Sequence, residues 1–313
     1  MRFYLVIPGG ILQQKIAWIC KLCVAIYAFI SGYGINKSKT VIFNENNYWL
    51  DAYSDSLRRI LRFLCKYWLV YFVVVPVGLI LHKYSFNIPE MINNFIARRM
   101  TYSSEWWYVQ QYISMLLLFP IIQWIFSKID ILKSRREKIF LLLLSIVWCS
   151  LLFNGKLVSL INQKYQLVYL AIFTEGIICA KYKIFERISD FLQCNLYRKC
   201  WAVMITIVCF VIRWEFAKGP EYIAVDTIIT VPLIYAVTII VRETDRLKNL
   251  LIKIGEKSVY MWLIHTFFCY YFFQNVITCT KIALLAYLET FASSYFAASI
   301  LITIENKIIH IKR

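Results

Sequence analysis

The stretch AIYAFISGYGINKSK, from Ala25 to Lys39, carries an apolar segment into Ser31-Gly32-Tyr33-Gly34 and then into lysines. An apolar run that ends beside basic residues is typical of a membrane span that stops at the cytoplasmic interface. Glycine relaxes the steric limits on the backbone and so permits a sharp change of direction. We therefore predict that a span over 16–35 ends in a turn at Ser31 to Gly34.

The composition of the whole chain agrees with a membrane location. Of its 313 residues, 60% are hydrophobic and only 17% are charged. A soluble domain of this length could not bury so much apolar surface. Aromatic residues reach 17%, as expected where rings anchor helices at both faces of a bilayer. The sequence thus predicts an integral membrane protein and excludes a fibrous or disordered chain.

Segments long enough to cross a bilayer recur along the chain. A crossing helix needs roughly 20 residues, and fewer suffice where the bilayer is thin. We predict an all-α polytopic membrane protein with about nine transmembrane helices in one bundle. The predicted spans are 16–35, 62–82, 107–127, 138–153, 163–180, 200–217, 222–241, 258–278 and 283–304. We see no internal repeat and no loop long enough for a separate domain, so residues 1–313 are expected to form one domain.

The basic residues divide unequally between the two sets of connections. One alternate set carries 23 Lys and Arg, and the other carries 9. The positive-inside rule then places the C-terminus in the cytoplasm and the N-terminus outside the plasma membrane. This placement explains most of the net charge of +17 without a nucleic-acid partner. Nine spans with an outside N-terminus also suggest a ten-span protein that lacks its first helix.

No metal or redox centre is predicted. Most of the ten cysteines lie within apolar runs, where a free thiol behaves as a small hydrophobic group. Cys20 and Cys23 form a C-x-x-C, but no second pair and no histidine lies nearby. Signatures of soluble enzymes, such as phosphate-binding glycine loops and G-x-S-x-G, are also absent.

Arg58, Arg59 and Arg62 lie where a span begins on the predicted cytoplasmic side. On a helix they share roughly one flank, because residues three and four apart are neighbours. Guanidinium groups bind phosphates with paired hydrogen bonds, so a phosphate site is one interpretation. A topological anchor facing lipid headgroups is the other.

Glu105, Trp106, Trp107 and Tyr108 precede a span on the predicted outer side. The aromatic residues are typical of an interfacial belt. The acid suggests instead a contact with a polar substrate such as a sugar. Both interpretations remain open from these residues alone.

Further polar residues lie inside predicted spans, where ionisable groups are costly. Arg213, Glu215 and Asp226 could form a polar pocket near the outer face, or could pair with one another. His265 lies about two turns inside the eighth span. It could act as a general base, or could serve as a structural hydrogen-bonding group.

Four of these segments, taken in order, resemble the membrane-bound acyltransferase 3 family. Phe29 to Tyr33 is similar to a Phe-x-Ser-Gly-Tyr corner at the end of that family's second span. LRRILRFLCKYWLVYFV (57–73) resembles its arginine-rich entry to the third span, and SSEWWYVQQYISMLLLFP (103–120) resembles its Trp-containing span that ends in proline. IGEKSVYMWLIHTFF (254–268) is similar to its Gly-x-x-Ser-x-x-x-Tyr-x-x-His pattern, with Trp262 in place of tyrosine.

The resemblance implies a function. Members have ten core spans and move an acyl group from cytoplasmic acyl-CoA to an acceptor hydroxyl. It implies acetyl-CoA or another acyl-CoA as co-substrate, no bound cofactor, and membrane lipid with a glycan or lipid-linked sugar as partners. The residues expected to bind acyl-CoA are Arg58, Arg59, Arg62, Ser31, Gly32 and Tyr33, and the resemblance favours Glu105, Trp106, Trp107 and Tyr108 for the acceptor. Arg213, Glu215 and Asp226 are further acceptor candidates from their position in the sequence. His265 is the candidate catalytic residue, as a substitute for the first-span histidine of the family.

The chain departs from the family at its N-terminus. The family carries an Arg and a His about ten residues apart in its first span, whereas residues 1–24 contain Arg2 and no histidine. We expect an O-acyltransferase that acetylates a cell-surface polysaccharide or its lipid-linked precursor. The alternatives are a transporter or flippase of lipid-linked glycans, and an inactive acyltransferase truncated before its first span.

Overall fold

The computed structural model describes residues 11–38, 47–131, 134–154, 169–191, 195–216, 222–242 and 244–311. In these ranges the regular secondary structure is helical, and no strand is present. The prediction of an all-α fold is confirmed for this part of the chain.

The helices follow one another with short connections. In chain order they are α1 (Ile11–Cys20), α2 (Leu22–Lys37), α3 (Tyr48–Ile80), α4 (Ile88–Phe95), α5 (Trp107–Ile131), α6 (Arg135–Asn154), α7 (Leu170–Lys181), α8 (Ile184–Phe191), α9 (Asn195–Glu215), α10 (Tyr222–Arg242), α11 (Asp245–Thr266), α12 (Gln274–Ile277) and α13 (Ala283–Ile311). A 3₁₀ turn, Ser104–Trp106, precedes α5, and a π-helical turn, Phe267–Tyr271, follows α11.

Five helical stretches among the described residues are long and apolar enough to cross a membrane. They are Lys15–Lys37, Tyr48–Ile80, Ser104–Ile131, Ala224–Arg242 and Ala283–Ile308. They fit an all-α membrane protein, but the predicted count of about nine is not matched. Among the remaining helices, α7 has twelve residues, α6 begins with four charged residues, and charged residues lie near both ends of α9.

Two predicted spans illustrate the difference. The span predicted at 163–180 begins among residues outside the described ranges, and α7 starts at Leu170. The span predicted at 258–278 is not one helix. Helix α11 begins earlier, at Asp245, with a charged first half, and its apolar half ends in the π-helical turn before α12.

The turn predicted at Ser31 to Gly34 is wrong, because α2 continues as a helix to Lys37. The Ser31 hydroxyl donates a 2.7 Å hydrogen bond to the Tyr27 carbonyl, so the serine is satisfied inside the helix. Gly32 is buried and lies against the backbone of α7, where a Cβ would overlap Phe173 O. The glycine therefore permits a close helix crossing rather than a change of direction.

The crossing of α2 and α7 follows a pattern known from membrane helices. Ala28 and Gly32 are buried on α2, and Gly176 and Ala180 are buried on α7, each pair four residues apart. A Cβ at Gly176 would overlap Phe29 O and lie 2.9 Å from Tyr33 N. Small residues at this spacing let two backbones approach closely, which increases van der Waals contact between helices in a bilayer.

The described chain divides into two compact units. The glycine-packed unit comprises residues 11–57 and 111–245 and contains the α2–α7 crossing. The tyrosine unit comprises residues 58–110 and 246–311 and contains α4, most of α11 and α13. The expectation of one domain over residues 1–313 stays a prediction.

Candidate functional site

Two segments that the sequence singled out meet inside the tyrosine unit. The indole of Trp106, in the 3₁₀ turn, donates a 2.9 Å hydrogen bond to the carbonyl of Leu263 in α11, 157 residues further along the chain. Beside it, the hydroxyls of Ser103 and Thr266 lie 3.2 Å apart. All four residues are buried. These bonds fix the Ser104–Trp106 turn against the last turn of α11.

His265 lies in that last turn of α11. Its Nδ1 is 2.7 Å from the carbonyl oxygen of Trp262. Because a carbonyl oxygen only accepts, Nδ1 carries the hydrogen of this bond and Nε2 remains the basic nitrogen of the neutral ring. Glu105 lies close enough for its charge to act on the imidazole. A neutral imidazole whose Nε2 is basic can serve as a general base.

The four residues of the Glu105 to Tyr108 segment have different surroundings. Trp106 is fully buried, so it positions the turn and does not line an interfacial belt. Tyr108 is also buried, and its ring meets that of Trp262 edge to face at 5.8 Å. Glu105 and Trp107 are half-buried and retain an accessible surface. Within this segment, therefore, Glu105 and Trp107 are the residues that a ligand can reach.

A polar cleft of about 490 Å³ lies beside this turn, and we call it the tyrosine cleft. Its size falls within the range of small-ligand sites. Tyr271 lines it, and the phenol oxygen of Tyr271 accepts a 3.1 Å hydrogen bond from the backbone N–H of Ser104. The cleft thus shares a wall with the turn that carries Glu105. The lining residues are Lys83, Tyr84, Ser85, Glu90, Thr101, Tyr102, Tyr270, Tyr271, Phe272, Gln274 and Asn275.

One wall of the tyrosine cleft is held by Asn94, which is completely buried. Its amide nitrogen donates to the Thr101 hydroxyl at 2.7 Å, and its amide oxygen accepts from the Thr101 backbone at 2.9 Å. Its own carbonyl accepts a 2.7 Å hydrogen bond from the Tyr67 hydroxyl. A single asparagine therefore ties α3 and the end of α4 to the loop that carries the lining residue Tyr102.

A further part of the cleft lining comes from the π-helical turn and the residue that follows it. The backbone N–H of Phe272 donates to the carbonyl of Phe267 at 2.8 Å, which is the five-residue spacing of a π turn. The extra residue in such a turn redirects the side chains that follow it, and π turns are frequent at functional sites. Here Tyr270, Tyr271 and Phe272 all line the cleft.

The phenols of the cleft are suited to hydrogen bonding with a neutral ligand. Burial raises the pKa of Tyr102 to about 12 and also raises the pKa of Tyr84, so both groups stay protonated at physiological pH. The Tyr84 hydroxyl donates to the Tyr102 carbonyl at 3.0 Å. The Tyr102 hydroxyl is buried and has no hydrogen-bond partner among the described residues. A buried donor without a partner is costly, so a ligand that accepts from it would be stabilised.

Arg213 and Asp226 do not form an open pocket. The Arg213 Nε and an Asp226 oxygen lie 2.8 Å apart, and both side chains are fully buried in the glycine-packed unit. The sequence left open a polar pocket or a pair. In the structure, Arg213 and Asp226 form a pair. Glu215 is exposed. Of the three predicted acceptor residues in this group, two are therefore buried against each other, out of reach of a ligand.

The residues predicted for acyl-CoA belong to two different units. Arg58 and Arg62 are exposed and four residues apart on α3, and Arg59 is half-buried. Ser31, Gly32 and Tyr33 are on α2 in the glycine-packed unit. There Ser31 bonds its own helix and Gly32 packs against α7. Tyr33 lines a separate, apolar cleft.

In the described ranges, no group of three or more His, Cys, Asp or Glu residues could hold a metal ion. Cys20 and Cys23 are both exposed and are not joined by a disulfide.

Comparisons with known proteins leave the geometry as the basis for function. No protein-family profile, no curated protein and no solved structure matches the chain.

Proposed function

We propose that the protein is an acyl-CoA-dependent O-acyltransferase that acetylates a hydroxyl of a cell-envelope polysaccharide or of its lipid-linked precursor. In this proposal it is a multi-pass protein of the plasma membrane with a cytoplasmic C-terminus. The observation that carries the proposal is the hydrogen bond from Ser104 to Tyr271, which joins the tyrosine cleft to the turn that holds Glu105. The charge of Glu105 in turn acts on His265.

The lining of the tyrosine cleft supports a sugar as the acceptor. Tyrosine offers an apolar ring face together with a hydroxyl, which matches the mixed apolar and polar surface of a sugar ring. Glu90, Gln274 and Asn275 add acceptors and donors for sugar hydroxyls. Residues 83–106 form a connection that the charge distribution predicts to lie outside the cell, on the side of the envelope glycan.

The proposed chemistry requires a base for the acceptor hydroxyl. Nε2 of His265 would take the hydroxyl proton while the acceptor oxygen attacks the thioester carbonyl carbon. The new C–O bond forms, the C–S bond breaks, and the CoA thiolate leaves with the proton from the imidazolium. The Glu105 charge favours the imidazolium that exists between these two transfers. Arg58 and Arg62 are the exposed cations proposed to bind the phosphates of CoA.

A transfer assay with variants of His265 tests this function. Membranes from cells that make the chain in place of the native copy are incubated with [¹⁴C]acetyl-CoA. Alkali-labile label in the glycan fraction then measures O-acetyl transfer. We expect His265→Gln to lower the rate by about 100-fold or more, because general-base catalysis contributes on the order of 10² to 10⁴.

His82→Asn is the matched control. His82 is exposed, and its φ of 51° is one that asparagine tolerates. The rate of acetyl transfer by His82→Asn should equal that of the wild type. Equal rates for wild type and His265→Gln at equal protein levels would refute the role of His265. Absence of label with the wild type would refute the acyltransferase itself.

A further inference from the structure

A second, apolar cleft of about 270 Å³ lies within the glycine-packed unit, among α2, α8, α9 and α10. We call it the aromatic cleft. It is separate from the residues proposed for catalysis, and the inference drawn from it is independent of the proposed function. Its lining residues are Phe29, Ile30, Tyr33, Phe185, Glu186, Arg198, Ile234, Tyr235, Thr238, Ile239 and Arg242.

The floor of the aromatic cleft is a cluster of stacked rings. The ring centroids of Phe29, Tyr33 and Phe185 lie 5.8 to 6.1 Å apart. Tyr235 meets Phe185 at 5.4 Å and extends the apolar surface. Ile30, which also lines the cleft, is 53% exposed on an apolar helix that could cross a membrane. The cleft therefore opens on a surface that hydrocarbon chains would cover in a bilayer.

The rim of the aromatic cleft is basic. Arg198 and Arg242 line it. Lys37 lies 2.7 Å from Glu186 and 5.7 Å from the centre of the Tyr33 ring. Among the described residues at the cleft, Lys37, Arg198 and Arg242 are basic and Glu186 is acidic, so basic residues predominate there.

Two of the basic residues also indicate a depth in the membrane. Lys37 is the last residue of α2 and Arg242 is the last residue of α10, and both helices belong to stretches that could cross a bilayer. Basic residues at the ends of such helices lie at the level of the lipid phosphates. A basic pocket between membrane helices at this level is the kind of site that binds anionic lipid headgroups.

We propose that the aromatic cleft binds an anionic phospholipid, with the phosphate at Arg198 and Arg242 and the start of an acyl chain on the rings of Phe29, Tyr33 and Phe185. A volume of about 270 Å³ suits a phosphate and a few methylene groups. It is below the roughly 300–1,000 Å³ of sites that enclose a whole drug-sized molecule, so it is too small for acyl-CoA.

The experiment measures lipid binding to the purified full chain by native mass spectrometry. Phosphatidylglycerol and phosphatidylcholine with identical acyl chains are the probes, because they share the phosphate but differ in net charge. We expect the wild type to retain phosphatidylglycerol preferentially. In the double variant Arg198→Gln/Arg242→Gln, the affinity for phosphatidylglycerol relative to phosphatidylcholine should fall by about thirtyfold, because each basic residue near anionic lipid contributes on the order of 1 kcal/mol.

Two further variants separate charge from folding. The double variant Arg198→Lys/Arg242→Lys keeps both charges and should keep most of the preference. Arg246→Gln removes an exposed cation outside the cleft and should leave the preference unchanged. Melting temperatures in phosphatidylcholine verify that each variant is folded.

Three results would overturn the proposal. The first is equal retention of both lipids by the wild type. The second is an unchanged preference in the Arg198→Gln/Arg242→Gln variant. The third is displacement of phosphatidylglycerol by equimolar acetyl-CoA, which would assign the cleft to a nucleotide thioester instead of a lipid.

Discussion

The close crossing of α2 and α7 predicts that Gly32→Ala destabilises the protein, although alanine favours a helix more than glycine does. The new Cβ would overlap Phe173 O and lie 3.0 Å from Phe173 C and 3.3 Å from Ile177 N. All three atoms belong to the backbone of α7, so no side-chain rotation can relieve the overlap. The two helices must separate, and the contacts around the crossing are lost.

The size of the effect follows from comparison with Gly34→Ala in the same helix. Gly34 is exposed, and a Cβ there meets no atom within 4 Å. Both substitutions gain the same helix propensity, about 1 kcal/mol. Their difference therefore isolates the crossing, and the cost of overpacking is about 1–3 kcal/mol. We expect the free energy of unfolding of Gly32→Ala to be lower than that of Gly34→Ala by this amount.

The assay is unfolding of the purified protein in mixed micelles by titration with sodium dodecyl sulfate, followed by circular dichroism. Gly176→Ala approaches the same crossing from α7 and should shift the transition in the same direction, since its Cβ would overlap Phe29 O. Gly255→Ala in α11, where a Cβ meets nothing within 4 Å, is a second control. If Gly32→Ala and Gly34→Ala unfold with free energies within about 0.5 kcal/mol of each other, the argument from close packing fails.

The remaining predictions concern polar contacts. Asp226→Ala removes the carboxylate that pairs with the buried Arg213 and should cost about 3–5 kcal/mol of unfolding free energy in the same titration. Replacing both residues by apolar ones should recover most of that loss, and equal losses for the two variants would contradict this. Asn94→Ala removes the oxygen that accepts from the backbone N–H groups of Thr101 and Tyr102, so we expect the free energy of unfolding to fall by about 1 kcal/mol or more in the same titration. A smaller loss would contradict the role of Asn94 in holding the cleft. The hydrogen bond from Lys37 lowers the pKa of Glu186 below the ordinary glutamate value of about 4.3. The pair therefore stabilises the protein at pH values above about 4.3, and this stabilisation disappears as the pH falls through the lowered pKa. The melting temperature of wild type should exceed that of Glu186→Gln slightly at neutral pH and converge with it in acid, and a difference that grows in acid would contradict the sign.

The parts of the fold that the sequence predicts well are the long apolar helices. The span predicted at 107–127 corresponds to α5, Trp107–Ile131, because a long and predominantly apolar run predicts the position and approximate length of a helix. The failure at Gly32 has the opposite cause. A glycine permits both a turn and a close approach, and only the partner helix, more than 130 residues away, decides between them.

The candidate site was predictable in its residues but not in its assembly. His265 and Glu105 are each visible as ionisable residues next to or within apolar segments, where such groups are costly. Their proximity depends on the Trp106–Leu263 and Ser103–Thr266 contacts, which no local pattern indicates. The tyrosine cleft was missed for the same reason. Its only signal in the sequence is a set of tyrosines in two segments far apart along the chain.

Acetyl transfer by the purified protein in proteoliposomes would test the proposed acyltransferase activity directly. Acetyl-CoA labelled with ¹³C in the acetyl group is supplied together with glycan isolated from the cells that make the protein. Two-dimensional NMR of the recovered glycan then shows whether the label is attached. We expect a ¹³C-acetyl ester on a sugar hydroxyl with the wild type and its loss with His265→Gln. Unlabelled glycan from the wild type, or equal labelling by both proteins, would contradict it.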